Sequence, residues 1–156
     1  MAKLKLVADP GKHDIRMWRD FDAPRELVFR AFTDPDLVPR WWGPHSVTTT
    51  VDQMEVRKGG IWRYIQRDDN GNEFIFSGVY HDIVTPERIV FTFEFEGLPG
   101  HVLLETVTFE DYEGKTRITD SSVFQTVKDR DGMIQAGMER GAEESWERFE
   151  ELIKRL

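Results

Sequence analysis

The sequence predicts an α+β domain in which an antiparallel sheet of seven strands lies beneath one long C-terminal helix, with two short helices after the first strand. Three observations carry this. Asp129 to Leu156 repeats small or apolar residues at helical spacing, through Ile134, Met138, Gly141, Ala142, Ser145, Phe149, Leu152 and Leu156. Six segments between Val47 and Phe124 carry strand patterns joined by short turns, which favours an antiparallel meander. One earlier strand pattern, His13 to Phe21, precedes a helical insert opened by Pro24.

In chain order, residues 1–12 are expected to form a flexible arm and residues 13–156 a single domain. His13 to Phe21 alternates Ile15, Met17 and Arg19 against Arg16, Trp18 and Asp20. Leu27, Val28, Ala31 and Phe32 give the first helix a buried face, and Asp34-Pro35 ends it and opens a second, short one. The adjacent Trp41 and Trp42 either reach the mouth of a pocket or pack the insert against the sheet. Strands follow at Val47–Val56, Ile61–Arg67, Phe74–Ile83, Ile89–Phe95, Val102–Phe109 and Thr116–Phe124, separated by signals such as Asp68-Asp69-Asn70-Gly71 and Glu113-Gly114. Gly78 suggests a bend or a close backbone approach within its strand. In the final helix Asp129 and Asp131 suit the start, and Lys154 and Arg155 the end. That helix would span roughly 40 Å at about 1.5 Å per residue. Gly137 and Gly141 lower its propensity and are explained by close approach, to the sheet or to a ligand. A straight helix over a curved sheet leaves a gap, the natural place for a cavity.

Composition narrows the function. A formal net charge of -8 argues against a nonspecific polyanion binder, and the aromatic residues lack the basic patch of a nucleic-acid platform. With no cysteine, disulfides and thiol chemistry are impossible. No apolar run approaches the roughly 20 residues that span a bilayer, and the N-terminus lacks a signal-peptide core, so a cytoplasmic protein is expected. There is no phosphate-loop, HExxH or GxSxG pattern, and His13, His45, His81 and His101 fall in separate segments without metal-ligand spacing. No cofactor, metal or catalytic motif is expected.

Three charged residues sit in apolar strand phases. Glu105 shares parity with Leu103, Val107 and Phe109; Asp120 with Ile118, Ser122 and Phe124; Arg63 with Ile61 and Ile65. Charges in such positions face outward, pair with one another, or hold water. On the inward alternative, Ser122 donates to Asp120 and Arg63 reaches it across the sheet, so that Asp120→Asn or Asp120→Ala lowers stability, ligand binding or both.

Several segments together resemble a known family. DAPRELVFRAFTDPDLVPRWWGP at Asp22–Pro44, KGGIWRY at Lys58–Tyr64, FSGVYHDIVTPERIVFTFEF at Phe76–Phe95, GKTRIT at Gly114–Thr119 and GMERG at Gly137–Gly141 resemble the Hsp90-ATPase-activator-homologue family. That family lies within the START-like (SRPBCC, Bet v 1-like) helix-grip superfamily, and the resemblance runs from about Ile15 to Leu156. It implies a seven-stranded antiparallel sheet gripping the C-terminal helix around a hydrophobic cavity. The superfamily includes lipid and hormone carriers, aromatase/cyclases, antibiotic-sequestering proteins and cochaperone domains. Where relatives commonly carry a tryptophan after the second helix glycine, this chain has Ala142, with Trp146 a turn later, which changes the expected cavity size.

The first functional expectation is therefore a binding protein for a small apolar or aromatic molecule, with Trp41, Trp62, Tyr64, Phe76, Tyr80, Phe91, Phe93, Met138 and Phe149 as candidate liners and Arg63, Glu105 and Asp120 as polar anchors. The second is a cochaperone-like interaction module that binds a chaperone. The third is a cyclase- or hydratase-type enzyme on an aromatic or polyketide-like substrate, using Tyr64, Tyr80, Glu105 and Asp120. A homodimer is also expected, from the resemblance and from the open sheet edges.

Overall fold

A computed structural model describes residues 3–156. Eight antiparallel strands form one open sheet: β1 Lys5–Val7, β2 Asp14–Phe21, β3 Thr48–Met54, β4 Ile61–Arg67, β5 Glu73–Val84, β6 Arg88–Phe95, β7 Val102–Tyr112 and β8 Lys115–Phe124. Their spatial order is β1-β2-β8-β7-β6-β5-β4-β3. Helix α1, Arg25–Thr33, and a 3₁₀ turn at Val38–Arg40 form the insert after β2. Helices α2, Val127–Gln135, and α3, Met138–Ile153, close the chain.

The β3-to-β8 meander follows the expected strand alternation, and two parts of the expectation change. The eighth strand comes from the segment expected to be a loose arm. Lys5, Leu6 and Val7 pair with Trp18, Met17 and Arg16, and Leu6 packs on the core beside Ile15 and Met17. Three residues are too few to show a period of two. The long helix is also broken. Thr126 caps α2, its hydroxyl accepting from the Asp129 N–H at 3.0 Å, so α2 starts before the aspartates expected to begin it. Gly137 then takes φ +87°, a left-handed conformation that stops the run and starts α3. A Cβ at Gly137 or Gly141 would meet nothing within 4 Å, so neither glycine is there for close approach to the sheet.

Gly78 on β5 is such a case. A Cβ there would overlap the Thr92 carbonyl of β6 and lie 2.6 Å from Trp62 Nε1, which itself donates to that carbonyl at 3.2 Å. Backbone cannot yield as a flexible side chain can. Gly78→Ala is therefore expected to destabilise the protein by about 3 kcal/mol or more, read as a lower urea midpoint at unchanged slope. A change within about 0.5 kcal/mol would mean that the β5–β6 pairing opens freely.

Alternation along the strands sends one set of side chains beneath the helices. Two apolar clusters result. The larger gathers Phe21, Phe29, Trp41, Phe109, Ile118, Trp146 and Phe149 under α1 and α3. The smaller gathers Ile15, Met17, Leu103 and Phe124, with Met133, Ile134 and Met138 from the helices. On β8, Asp120 and Ser122 fall between Ile118 of one cluster and Phe124 of the other; on β7, Glu105 falls between Val107 and Leu103. The sheet thus carries a polar belt where its two cores meet.

Candidate functional site

The polar belt opens onto a cavity of about 150 Å³. Sheet residues Trp62, Tyr64, Tyr80, Phe91, Phe93, Glu105 and Asp120 line it from below, with Trp41 and Trp42 from the insert and Ala142, Ser145 and Trp146 from α3 above. A second space of about 280 Å³ lies beside it and shares Trp42, Phe93, Glu105, Ala142 and Ser145 with it. Phe76, Met138, Gly141 and Ser122 line only the second. The shared residues make the two spaces neighbouring chambers.

Local structure explains how the insert reaches this place. The 3₁₀ turn turns Trp41 inward, where its indole N–H donates to the Ala31 carbonyl at 2.9 Å. Ser145 of α3 donates to the Trp41 carbonyl at 3.1 Å and accepts from the Gly43 N–H at 3.2 Å. Arg148 adds bonds to the Gly43 and Pro44 carbonyls at 2.9 and 3.3 Å. These contacts fix Trp42, whose ring meets Tyr64 and Phe76 edge-on at centroid distances of 5.0 and 5.3 Å.

Glu105 and Asp120 face inward, not outward. Register places Glu105 opposite Ser122 and Asp120 opposite Val107, so the two carboxyls are diagonal neighbours on one face. The Ser122 hydroxyl lies 3.3 Å from Glu105 Oε1 and 3.3 Å from Asp120 Oδ1. Among the described residues no Arg, Lys or His pairs with either carboxyl. Arg19 is nearest in register, on β2 opposite Ile118, but its guanidinium lies over the Phe21 ring and pairs with Glu150. Among the described residues no other hydrogen bond reaches either carboxyl, and both residues line the cavity. Burial raises both carboxyls, and the charge of Asp120 raises Glu105 further. Asp120 is pushed up to about 7, with the Ser122 bond opposing the shift. Burial also raises the Tyr64 phenol, and pushes the Tyr80 phenol up to about 12.

Of the expected liners, Trp41, Trp62, Tyr64, Tyr80, Phe91 and Phe93 share the smaller chamber, and Phe76 and Met138 lie on the larger one. Phe149 does not line either. It is 1% exposed and stacked among Phe21, Phe32 and Trp41. Arg63 cannot reach Asp120. It sits on the other face of β4, paired to Glu96 at 2.9 Å and Asp52 at 3.1 Å, because Trp62, Tyr64 and Gln66 take the inner face. The expected liners omit Trp42, which the sequence offers at the pocket mouth only as an alternative to packing, and name Ser122 only as the donor to Asp120, a bond that forms at 3.3 Å. Trp42 stood beside Trp41 with nothing to say which ring would turn inward, whereas Ser122 shared the parity of Asp120.

The family model described as Activator of Hsp90 ATPase homolog 1-like protein matches residues 22–154. No curated protein sequence matches the chain. Among solved structures, a protein from Arthrobacter aurescens is 26% identical with a TM-score of 0.89, over 97% of this chain and 92% of that one. A protein from Chromobacterium violaceum is also 26% identical, with a TM-score of 0.81 over 90% and 96% of the two chains. A protein from Rhodobacter sphaeroides, 22% identical with a TM-score of 0.90 over 99% and 100%, shares the fold. With its eight-stranded sheet, its helices closing one face and a match over most of its length, the chain belongs to the Activator of Hsp90 ATPase homolog 1-like family.

Proposed function

We propose that this protein binds a small molecule with an aromatic or apolar body in the two chambers between the sheet and α3. The observation that carries the reading is the lining itself: Trp42, Trp62, Tyr64, Phe91 and Phe93 around a space that ends at two carboxyls. A concave, mainly apolar space with a few convergent polar groups is the usual form of a small-molecule site. The smaller chamber, at about 150 Å³, has room for a single ring, and the larger takes the rest of a ligand.

The test is titration with neutral aromatic probes, indole and 2-phenylethanol, followed by tryptophan emission and calorimetry. Saturable binding is expected, weakened about tenfold or more in Trp42→Ala. Mass spectrometry of small molecules that copurify with the protein then identifies the natural ligand. Absence of binding to both probes, with nothing copurified, would remove the reading.

A second reading has a specific observation in its favour. Tyr64, Tyr80, Glu105 and Asp120, which are far apart in sequence, line one chamber. A carboxyl held protonated near neutral pH is suited to act as a general acid. The identified ligand, incubated with the protein, separates the two readings: altered product supports turnover, and quantitative recovery of the ligand supports binding alone.

A further inference from the structure

We propose, building on the binding reading above, that the ligand is a protonated amine carrying an aromatic or apolar body, with its ammonium at Glu105 and Asp120 and its body against Trp42, Trp62 and Phe93.

The cavity, not the acid pair alone, makes the site. A count of donors points to a cation. Ser122 has one hydroxyl hydrogen, yet its oxygen sits 3.3 Å from both carboxyls, so it serves one of them at a time. No other donor among the described residues reaches either carboxyl, and both line the chamber. An ammonium has three donors and no acceptor, which matches two carboxylates that, once their protons are released, offer acceptors and no donor. Among the described residues no Arg, Lys or His lines the chamber, and three arginines of the sheet are paired elsewhere: Arg19 with Glu150, Arg63 with Glu96 and Asp52, and Arg117 with Asp20.

The walls favour the same class. Trp62 meets Phe91 edge-on at 5.9 Å, and Trp42 meets Tyr64 edge-on at 5.0 Å, so these aromatic faces and edges surround the space without filling it. A cation near an aromatic face is attracted by the ring quadrupole, most of all where water is excluded. An anion would meet two carboxyls and no cation. A neutral ligand could accept a hydrogen bond from a protonated carboxyl, but would leave the pair's affinity for positive charge unused.

Proton linkage gives an independent signature. The titratable side chains on this chamber besides the pair are the phenols Tyr64 and Tyr80, both raised away from neutrality. Beta-strand β6 contributes Ile89, Phe91 and Phe93, and α3 contributes Ala142, Ser145 and Trp146, none of which titrates. Arg19 on β2 faces Phe21 and Glu150. The carboxyls are therefore the groups that exchange protons for the ligand's charge.

The experiment compares 2-phenylethylamine, 2-phenylethanol and 3-phenylpropionate, three probes with one ring and different ends, by calorimetry near neutral pH. The amine is expected to bind about tenfold or more tightly than the alcohol, and the carboxylate least. In buffers of different ionisation enthalpy, amine binding should release about one proton and alcohol binding none. The double variant Glu105→Gln/Asp120→Asn should bind amine and alcohol with similar affinity and release no proton; circular dichroism confirms its fold. Alcohol binding as tight as amine binding in the wild type overturns the amine assignment while the cavity reading stands. Failure of all three probes, together with indole, overturns both.

Discussion

Replacing both cavity carboxyls with their amides, Glu105→Gln and Asp120→Asn, is expected to stabilise the protein at pH 8 by about 1–3 kcal/mol and to change little below about pH 4. The direction follows from linkage. Both folded-state carboxyls hold their protons more tightly than the unfolded chain does, because burial disfavours the charged forms. A group raised in this way contributes stability that is full below the unfolded pKa. That contribution is lost as pH rises through the folded value, which for Asp120 is about 7 and for Glu105 lies well above the usual carboxylate range. The amides remove the charge and keep the shape, though each must find hydrogen bonds of its own, which limits the gain. Urea melts of wild type and double variant from pH 4 to 9 test this. Parallel curves would show that the pair carries no charge penalty.

Other carboxylates bend the curve the opposite way. The Arg117 guanidinium holds Asp20 below its ordinary value, Arg63 does the same for Glu96, and the Asn72 side chain and backbone do so for Asp68. Their contribution is present above the unfolded pKa and is lost as pH falls through the folded one. These groups are mostly solvent-screened, so the slope they add at acid pH is shallow. The single variants of the buried pair should not add. Asp120→Asn removes a charge that raises Glu105, so it relieves part of the Glu105 penalty as well.

This expectation reverses the inward alternative drawn from sequence, in which Arg63 reaches Asp120 and the loss of Asp120 weakens the protein or its ligand binding. Parity identified the unusual charges but could not choose the buried face of β4. Ile61, Arg63 and Ile65 alternate with Trp62, Tyr64 and Gln66, so both faces contain apolar residues. The structure turns the second set inward, and Arg63 goes with the first. On β7 and β8 the pattern was legible, because Glu105 and Asp120 interrupt rows that are otherwise apolar or hydroxylic. The break between α2 and α3 was hidden for a different reason. Met138, Ala142 and Ser145 keep helical phase with Ile134, so the pattern runs through Gly137 although the backbone does not. A positive φ at one glycine leaves no trace in hydrophobic spacing. The ring positions of the insert were illegible because a short turn lacks the repeated period needed to assign adjacent tryptophans to faces.

Phe149→Ala is expected to destabilise the protein by about 3–5 kcal/mol, whereas Trp42→Ala should cost about 1–3 kcal/mol and chiefly impair binding. Both residues are large aromatics; the sequence places Phe149 among the candidate liners and leaves Trp42 between the pocket mouth and ordinary packing. Their surroundings differ. Phe149 is enclosed by Phe21, Phe32 and Trp41, with centroids at 5.1, 5.1 and 4.9 Å. Removing its ring leaves a void among residues already locked to α1, the insert and β2, where Trp41 is further held by its bond to the Ala31 carbonyl. Such a site has little freedom to collapse, which places the loss in the upper range for an aromatic truncation. Trp42 is half-buried and borders both chambers, so part of its surface has no packing partner to lose. Phe149→Leu, which refills most of the void, should recover stability and retain indole binding. Denaturant melts paired with indole titrations decide the matter. Loss of indole binding in a folded Phe149→Leu protein, with binding intact in Trp42→Ala, would move the site from the polar belt into the larger core.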